Sequence, residues 1–181
     1  PKLPGLDIAT VYVPTHQLSG DFYDFIPLPQ NNLGVAICDV VGKGVRASLL
    51  MAEIRASLRA HAVNVYDMSD VVRQVNRNLC ADTLVSDFAT LFYGVLHVDS
   101  RRLTYANAGH VPPIWFRDGR TRELSTGGGV IGIDPDFTWR HDWIDLRAGD
   151  VLLLYTDGLC EAMNFHDEAF GRQRVEAAAQ T

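Results

Sequence analysis

The apolar positions along this chain change period several times, and each change marks an element. From Leu6 to Thr15 β-branched residues predominate and predict a strand; Phe22 to Leu28 predicts a second. Pro29-Gln30-Asn31-Asn32 has the composition of a turn. The next run, Leu33 to Val41, reads L-G-V-A-I-C-D-V-V and is apolar on both faces, as in a strand covered on both sides. After Gly42-Lys43-Gly44 the period lengthens: Leu50, Ile54 and Leu58 fall at i, i+4 and i+8, predicting an amphipathic helix over Val45 to Ala62. A second helix is expected from Ser69 or Asp70, either of which could cap it, to about Asp82, with Val72 and Val75 inward.

Beyond Asp87 the pattern becomes one of short strands and turns. Ala89 to Val98 and Arg101 to Ala108 predict one hairpin, and Pro113 to Phe116 with Thr121 to Leu124 another around Asp118-Gly119. Gly127-Gly128-Gly129 reads as a flexible loop. Thr138 to Leu146 and Val151 to Thr156 are expected as later strands, and a helical tail begins near Arg172. Two helices between two groups of strands, with little strand–helix alternation, predict an α+β fold of mainly antiparallel sheets.

Composition narrows the classes. A chain of 181 residues that is 47% hydrophobic fits one globular domain with a full core. A net charge of −6, from 22 acidic against 16 basic residues, speaks against a nucleic-acid partner. Arg117, Arg120 and Arg122 read as a solvated hairpin tip. No run approaches the roughly 20 apolar residues of a membrane span, and the start lacks a signal-peptide pattern. Cys38, Cys80 and Cys160 form no C-x-x-C pair, so neither a zinc site nor a disulfide framework is suggested, and a cytoplasmic location is expected. The Met-less start reads as part of a larger chain.

Three aspartates are anomalous in position. Asp39 lies inside an apolar strand, Asp157 ends V-L-L-L-Y-T-D-G, and Asp21 follows Ser19-Gly20 at the start of a strand. An ionised carboxylate at the end of a buried strand is costly without a compensating cation or several donors. A shared hard divalent cation is the economical compensator, because no His or Cys accompanies them. Each also has an ordinary alternative: Asp39 as a helix cap, Asp157-Gly158 as a turn, Asp21 as a loop residue.

Other motifs carry less. Gly42-Lys43-Gly44-Val45-Arg46-Ala47 matches G-x-G-x-x-A, but a second helix follows where a dinucleotide fold needs a strand carrying an acid. No cysteine has an arginine six residues on, and H-E-x-x-H is absent. His110, in N-A-G-H-V-P-P, is expected to buttress a loop rather than to catalyse.

Taken in order, S-G-D-F-Y-D (Ser19 to Asp24), D-V-V-G-K-G, N-A-G-H and T-D-G-L-C-E-A (Thr156 to Ala162) resemble the SpoIIE/RsbU branch of the metal-dependent, type 2C-like protein serine/threonine phosphatases. The resemblance covers about Leu6 to Gly171. It implies a four-layer α/β/β/α sandwich, two antiparallel sheets flanked by helices, with two Mn²⁺ or Mg²⁺ ions in a cleft at one edge. By that resemblance Asp39 bridges both ions, the Val40 carbonyl adds a backbone ligand, Asp21 holds the second ion directly or through water and Asp157 the first; Asp24 is a secondary candidate that a regular strand turns to the opposite face. The family carries a further metal aspartate in a terminal strand, so with the chain ending at Thr181 that strand is expected to be missing and one site incomplete.

The resemblance further implies hydrolysis of phosphoserine or phosphothreonine by a water activated at the two-metal centre, on an anti-sigma-factor antagonist, downstream of a sensory or receiver domain. It implies that residues 1–181 are one phosphatase domain of a larger regulatory protein, cut short at its own C-terminus. In that branch the two helices after the metal strand, here about Val45 to Ala62 and Ser69 to Asp82, can act as a regulatory switch, and a homodimer is compatible with it. The rival expectation is a phosphoprotein-docking module of the same fold with little catalysis.

Overall fold

In the structure, a computed structural model, the described residues are 3–14, 18–65, 67–83 and 87–179. Strand β1 (Phe22–Leu28) runs antiparallel to β2 (Asn32–Val40), which pairs in turn with β3 (Ala89–His97), and β3 with β4 (Arg102–Ala108). The far edge of β4 carries two short strands, a parallel β7 (Gly127–Gly128) and an antiparallel β8 (Asp142–Asp145). A second sheet has the order β6-β5-β9, from β5 (Ile114–Arg117), β6 (Arg120–Glu123) and β9 (Val151–Leu153).

Three apolar interfaces make four layers. Helices α1 (Gly44–Asn64) and α2 (Met68–Asp82) cover one face of the large sheet, burying Leu50, Ile54, Leu58, Val72, Val75 and Leu79 against it. The opposite face, with Leu33, Ile37, Phe92, Leu103 and Tyr105, packs on Trp115 and Leu152 of the small sheet. Behind that sheet, Ile114, Phe116 and Tyr155 meet Ala179 of α4 (Arg172–Ala179). The α/β/β/α layering expected from the sequence is thus present, with one parallel pair, β4–β7, inside an otherwise antiparallel arrangement.

Several local expectations are corrected. No strand forms over 7–14, and Thr15 lies outside the described residues; Val11 and Val13 stand 87% and 82% exposed. β-Branched residues favour a pleated, half-buried surface, and here no strand pairs with theirs. Asp67, rather than Ser69 or Asp70, caps α2, accepting hydrogen bonds from the Ser69 and Asp70 amides. The Gly127 loop is a strand rather than slack: a Cβ there would sit 1.8 Å from the Asn107 carbonyl oxygen, so only glycine permits the approach. Arg117 is no solvated tip residue, because it holds the buried Asp150 through two bonds of 2.8 and 2.6 Å and lies over Trp115. Arg122 pairs with Asp142.

One buried carboxylate fastens α1 to the sheet. Alternation along β1 turns Asp24 to the helical face, where it accepts from Arg55 Nε at 3.0 Å and from Arg59 Nε and Nη2 at 2.6 Å each. Burial pushes the Asp24 pKa up, but the Arg59 and Arg55 hydrogen bonds outweigh it and leave it below 3.8. A depressed carboxylate pKa adds stability above the unfolded value that is lost as pH falls through the folded one. Asp24→Asn is therefore expected to cost about 1.5–3 kcal/mol in urea unfolding at pH 7. The deficit should shrink as the pH falls below about 4, where the wild type loses the same ionised partner.

Candidate functional site

The register of β1 and β2 pairs Phe22 with Cys38, so one step further Asp21 stands opposite Asp39 at the strand ends. Odd-numbered residues of both strands, Phe25, Val35 and Ile37 among them, face the small sheet. Asp21 and Asp39 therefore point into the end of the cleft between the sheets, while Asp24 faces the other way. Gly20 lies beside them in a tight approach: a Cβ would meet the Val40 carbonyl oxygen at 3.0 Å and the Ala47 Cβ at 3.3 Å. Gly42 and Gly44, at φ +96° and +73°, then reverse the chain from β2 into α1.

Asp157 arrives from the small sheet. It does not end a strand, as the sequence pattern predicts: β9 stops at Leu153, and Asp157 opens the short helix α3 (Asp157–Glu161) after Thr156. One helical turn on, Glu161 adds a fourth carboxylate that the sequence reading missed; the D-x-x-x-E spacing would have revealed it had this segment been read as helical.

Electrostatics ties the four together. Burial pushes the Asp39 pKa up from 3.8 to about 7, helped by its hydrogen bond with Asp21 and by the charges of Asp21, Asp157 and Glu161. Elsewhere buried carboxylates are held by arginine: Asp24 by Arg55 and Arg59, Asp87 by Arg46, Asp150 by Arg117. Among the described residues no Arg or Lys pairs with Asp21, Asp39, Asp157 or Glu161. The donors are all oxygen and lack a cation, a set that fits hard divalent ions. It is not closed, however: among the described residues no three acidic, His or Cys side chains are gathered tightly enough to chelate an ion as they stand. Asp21 and Asp39 touch, whereas Asp157 and Glu161 stand exposed at the rim and act through charge.

The nearby nucleophile and acid–base candidates are disarmed. Cys38 is fully buried, and burial pushes its thiol well above 9.0. His110 is 4% exposed, with Nδ1 2.7 Å from Thr90 Oγ1 and Nε2 3.2 Å from the Tyr155 carbonyl oxygen. Burial lowers its pKa to about 4, so the ring is neutral near pH 7 with both nitrogens engaged.

Comparison with known proteins gives a consistent picture. The sequence profile described as Stage II sporulation protein E (SpoIIE) matches residues 29–181. The chain is 33% identical to phosphoserine phosphatase RsbU of Bacillus subtilis over 89% of its own length and 48% of that protein's. It spans about half the length, or less, of the curated relatives it matches. Among solved structures, the RsbU and RsbW domains of Rv1364c from Mycobacterium tuberculosis superpose with a TM-score of 0.72 at 29% identity, over 92% of this chain and 45% of that one. RsbX, solved in complex with magnesium, shares the fold at 20% identity and a TM-score of 0.66, over 80% of this chain and 69% of its own.

The crowded carboxylates make a prediction for the metal-free chain. A carboxylate whose pKa is raised on folding contributes stability below its unfolded pKa that is lost as pH rises through the folded one. In EDTA, wild-type stability should fall between about pH 4 and 7, the window set by the raised Asp39 pKa. Asp39→Asn should flatten that slope and be the more stable protein at pH 8, as read from thermal unfolding at each pH.

Proposed function

This chain belongs to the SpoIIE family, and from that premise we propose that it is a metal-dependent phosphatase acting on phosphoserine or phosphothreonine of a protein. The observation that carries the reading is the group of carboxylates Asp21, Asp39, Asp157 and Glu161, in which burial and the other three push the Asp39 pKa up and which has no basic partner among the described residues. Asp39, Asp21 and Asp157, with the Val40 carbonyl, would hold two Mn²⁺ or Mg²⁺ ions, Asp39 lying between the contributions of the two sheets. Bound there, such ions supply charge neutralisation at the phosphoryl oxygens and acidify the attacking water.

The chain's own residues do the rest. Asp157 and Glu161 sit exposed on α3, which leaves the mouth of the cleft open to a phosphorylated side chain presented on another protein. Direct attack by water is supported by the lack of an available thiolate, since burial keeps the Cys38 and Cys160 thiols protonated. Neutral, fully engaged His110 is no general acid, so the leaving oxygen takes its proton from another group.

By analogy with what its family resemblance implies, the substrate is an anti-sigma-factor antagonist, and residues 1–181 form one phosphatase domain of a cytoplasmic regulatory protein driven by a sensory or receiver domain. A homodimer fits the same scheme. Among the described residues, no helix is long and apolar enough to cross a membrane. A docking module with little turnover is the second reading, favoured by Asp157 standing apart from the Asp21–Asp39 pair.

Phosphate release from a phosphoserine protein or peptide separates the two. Release that requires Mn²⁺ or Mg²⁺, stops in EDTA and drops at least a thousandfold in folded Asp39→Asn is the expected result; the figure corresponds to about 4 kcal/mol of lost transition-state stabilisation. Tight binding of the phosphoprotein with no metal-dependent release would favour the docking role.

A further inference from the structure

His110 is a deeply buried ionisable side chain near the carboxylates that the proposed chemistry does not use. Its ring joins β3 of the large sheet to the segment between β9 and α3. Thr90, on Nδ1, is the residue paired with Asp39 in the β2–β3 register. Tyr155, whose carbonyl faces Nε2, precedes Asp157 by two residues. A carbonyl oxygen can only accept, so Nε2 carries the proton; Nδ1 then accepts from the Thr90 hydroxyl, which fixes one tautomer. The Thr90 oxygen also lies 3.5 Å from the Asp39 carbonyl oxygen, so it sits directly against the backbone of the acidic strand.

The ring is itself held from behind. Asn107 Oδ1 accepts from the His110 amide at 2.7 Å, and its Nδ2 donates to the His110 carbonyl at 3.0 Å and the Leu124 carbonyl at 3.2 Å. Gly109, at φ +72°, leaves no space for another residue: a Cβ would lie 2.6 Å from Val130 Cγ1. Such a two-ended clamp on a buried neutral ring gives the loop one geometry. It stands between Thr90, which pairs with Asp39, and the segment that leads into Asp157.

We propose that His110 is a positioning residue: by bridging Thr90 and the Tyr155 carbonyl it sets the distance between Asp39 at the end of β2 and Asp157 at the start of α3, and hence the affinity for divalent ions. The inference rests on the metal site assigned above. It assigns His110 no contact with substrate or ion. An ordinary buried histidine would affect folding stability alone, whereas this bridge acts on ion binding in protein that remains folded.

The test measures Mn²⁺ binding by calorimetry, with folding monitored by circular dichroism, for wild type, Asp39→Asn, His110→Leu, His110→Gln and Thr90→Val. Supporting partners of metal ligands typically contribute roughly ten- to a hundredfold in affinity. Folded His110→Leu should weaken Mn²⁺ binding by about that factor, and Thr90→Val by less. His110→Gln should recover most of the affinity, because its amide offers one acceptor and one donor on a single rigid group. Turnover of a phosphoserine peptide by His110→Leu should return toward wild type at saturating Mn²⁺, with KM for the peptide unchanged. Wild-type Mn²⁺ affinity in folded His110→Leu, or in Thr90→Val should the leucine variant not fold, overturns the inference while leaving the site intact, provided Asp39→Asn has lost binding. Failure of the wild type itself to bind Mn²⁺ overturns the site and the inference together.

Discussion

Two carboxylates on neighbouring strands repel each other unless a proton or a cation stands between them. β1 and β2 place Asp21 opposite Asp39 by register, and no shift of one residue could relieve the clash without turning every apolar side chain of β1 to the wrong face. The sandwich therefore holds a repulsive contact fixed by the same pairing that builds its core. Asp157 and Glu161, brought from the other sheet, add to the repulsion. In a fold that gives arginines to its other buried acids, this concentration of unpaired negative charge is the feature on which the proposed cation site rests.

The remaining architecture preserves that contact. Asp24, gripped by Arg55 and Arg59, ties α1 to β1 from the face opposite Asp21. Gly20 lets the chain before β1 press against the Val40 carbonyl, and Gly42 and Gly44 launch α1 straight from the end of β2. The start of α1, the end of β2 and the start of β1 thus form one packed corner.

Much of this corner was legible in the sequence because strands report themselves simply. Phe22 to Leu28 and Leu33 to Val41 have the right residues and a turn between them, so the positions of Asp21 and Asp39 at strand ends followed, as did the turn of Asp24 to the opposite face. Asp157 was harder. The apolar run Val151 to Tyr155 continues past the last paired residue, Leu153, and a five-residue helix is too short to display a period. Misreading it as a strand end concealed Glu161. The bridging role of His110 was invisible for another reason: Thr90 and Tyr155 lie 20 and 45 residues from it along the chain, and only the fold makes them neighbours. Gly127 looked like slack because glycine signals both freedom and close approach, and composition alone does not separate the two.

Whether the cleft end is a cation site can be read without turnover, substrate or mutation. Crystals grown with Mn²⁺ and measured at the manganese absorption edge should give anomalous peaks bonded to the Asp39 carboxylate, with Asp21 or Asp157 as co-ligands. Peaks confined to other surface carboxylates, with Asp21 and Asp39 still side by side and no ion between them, would contradict the account.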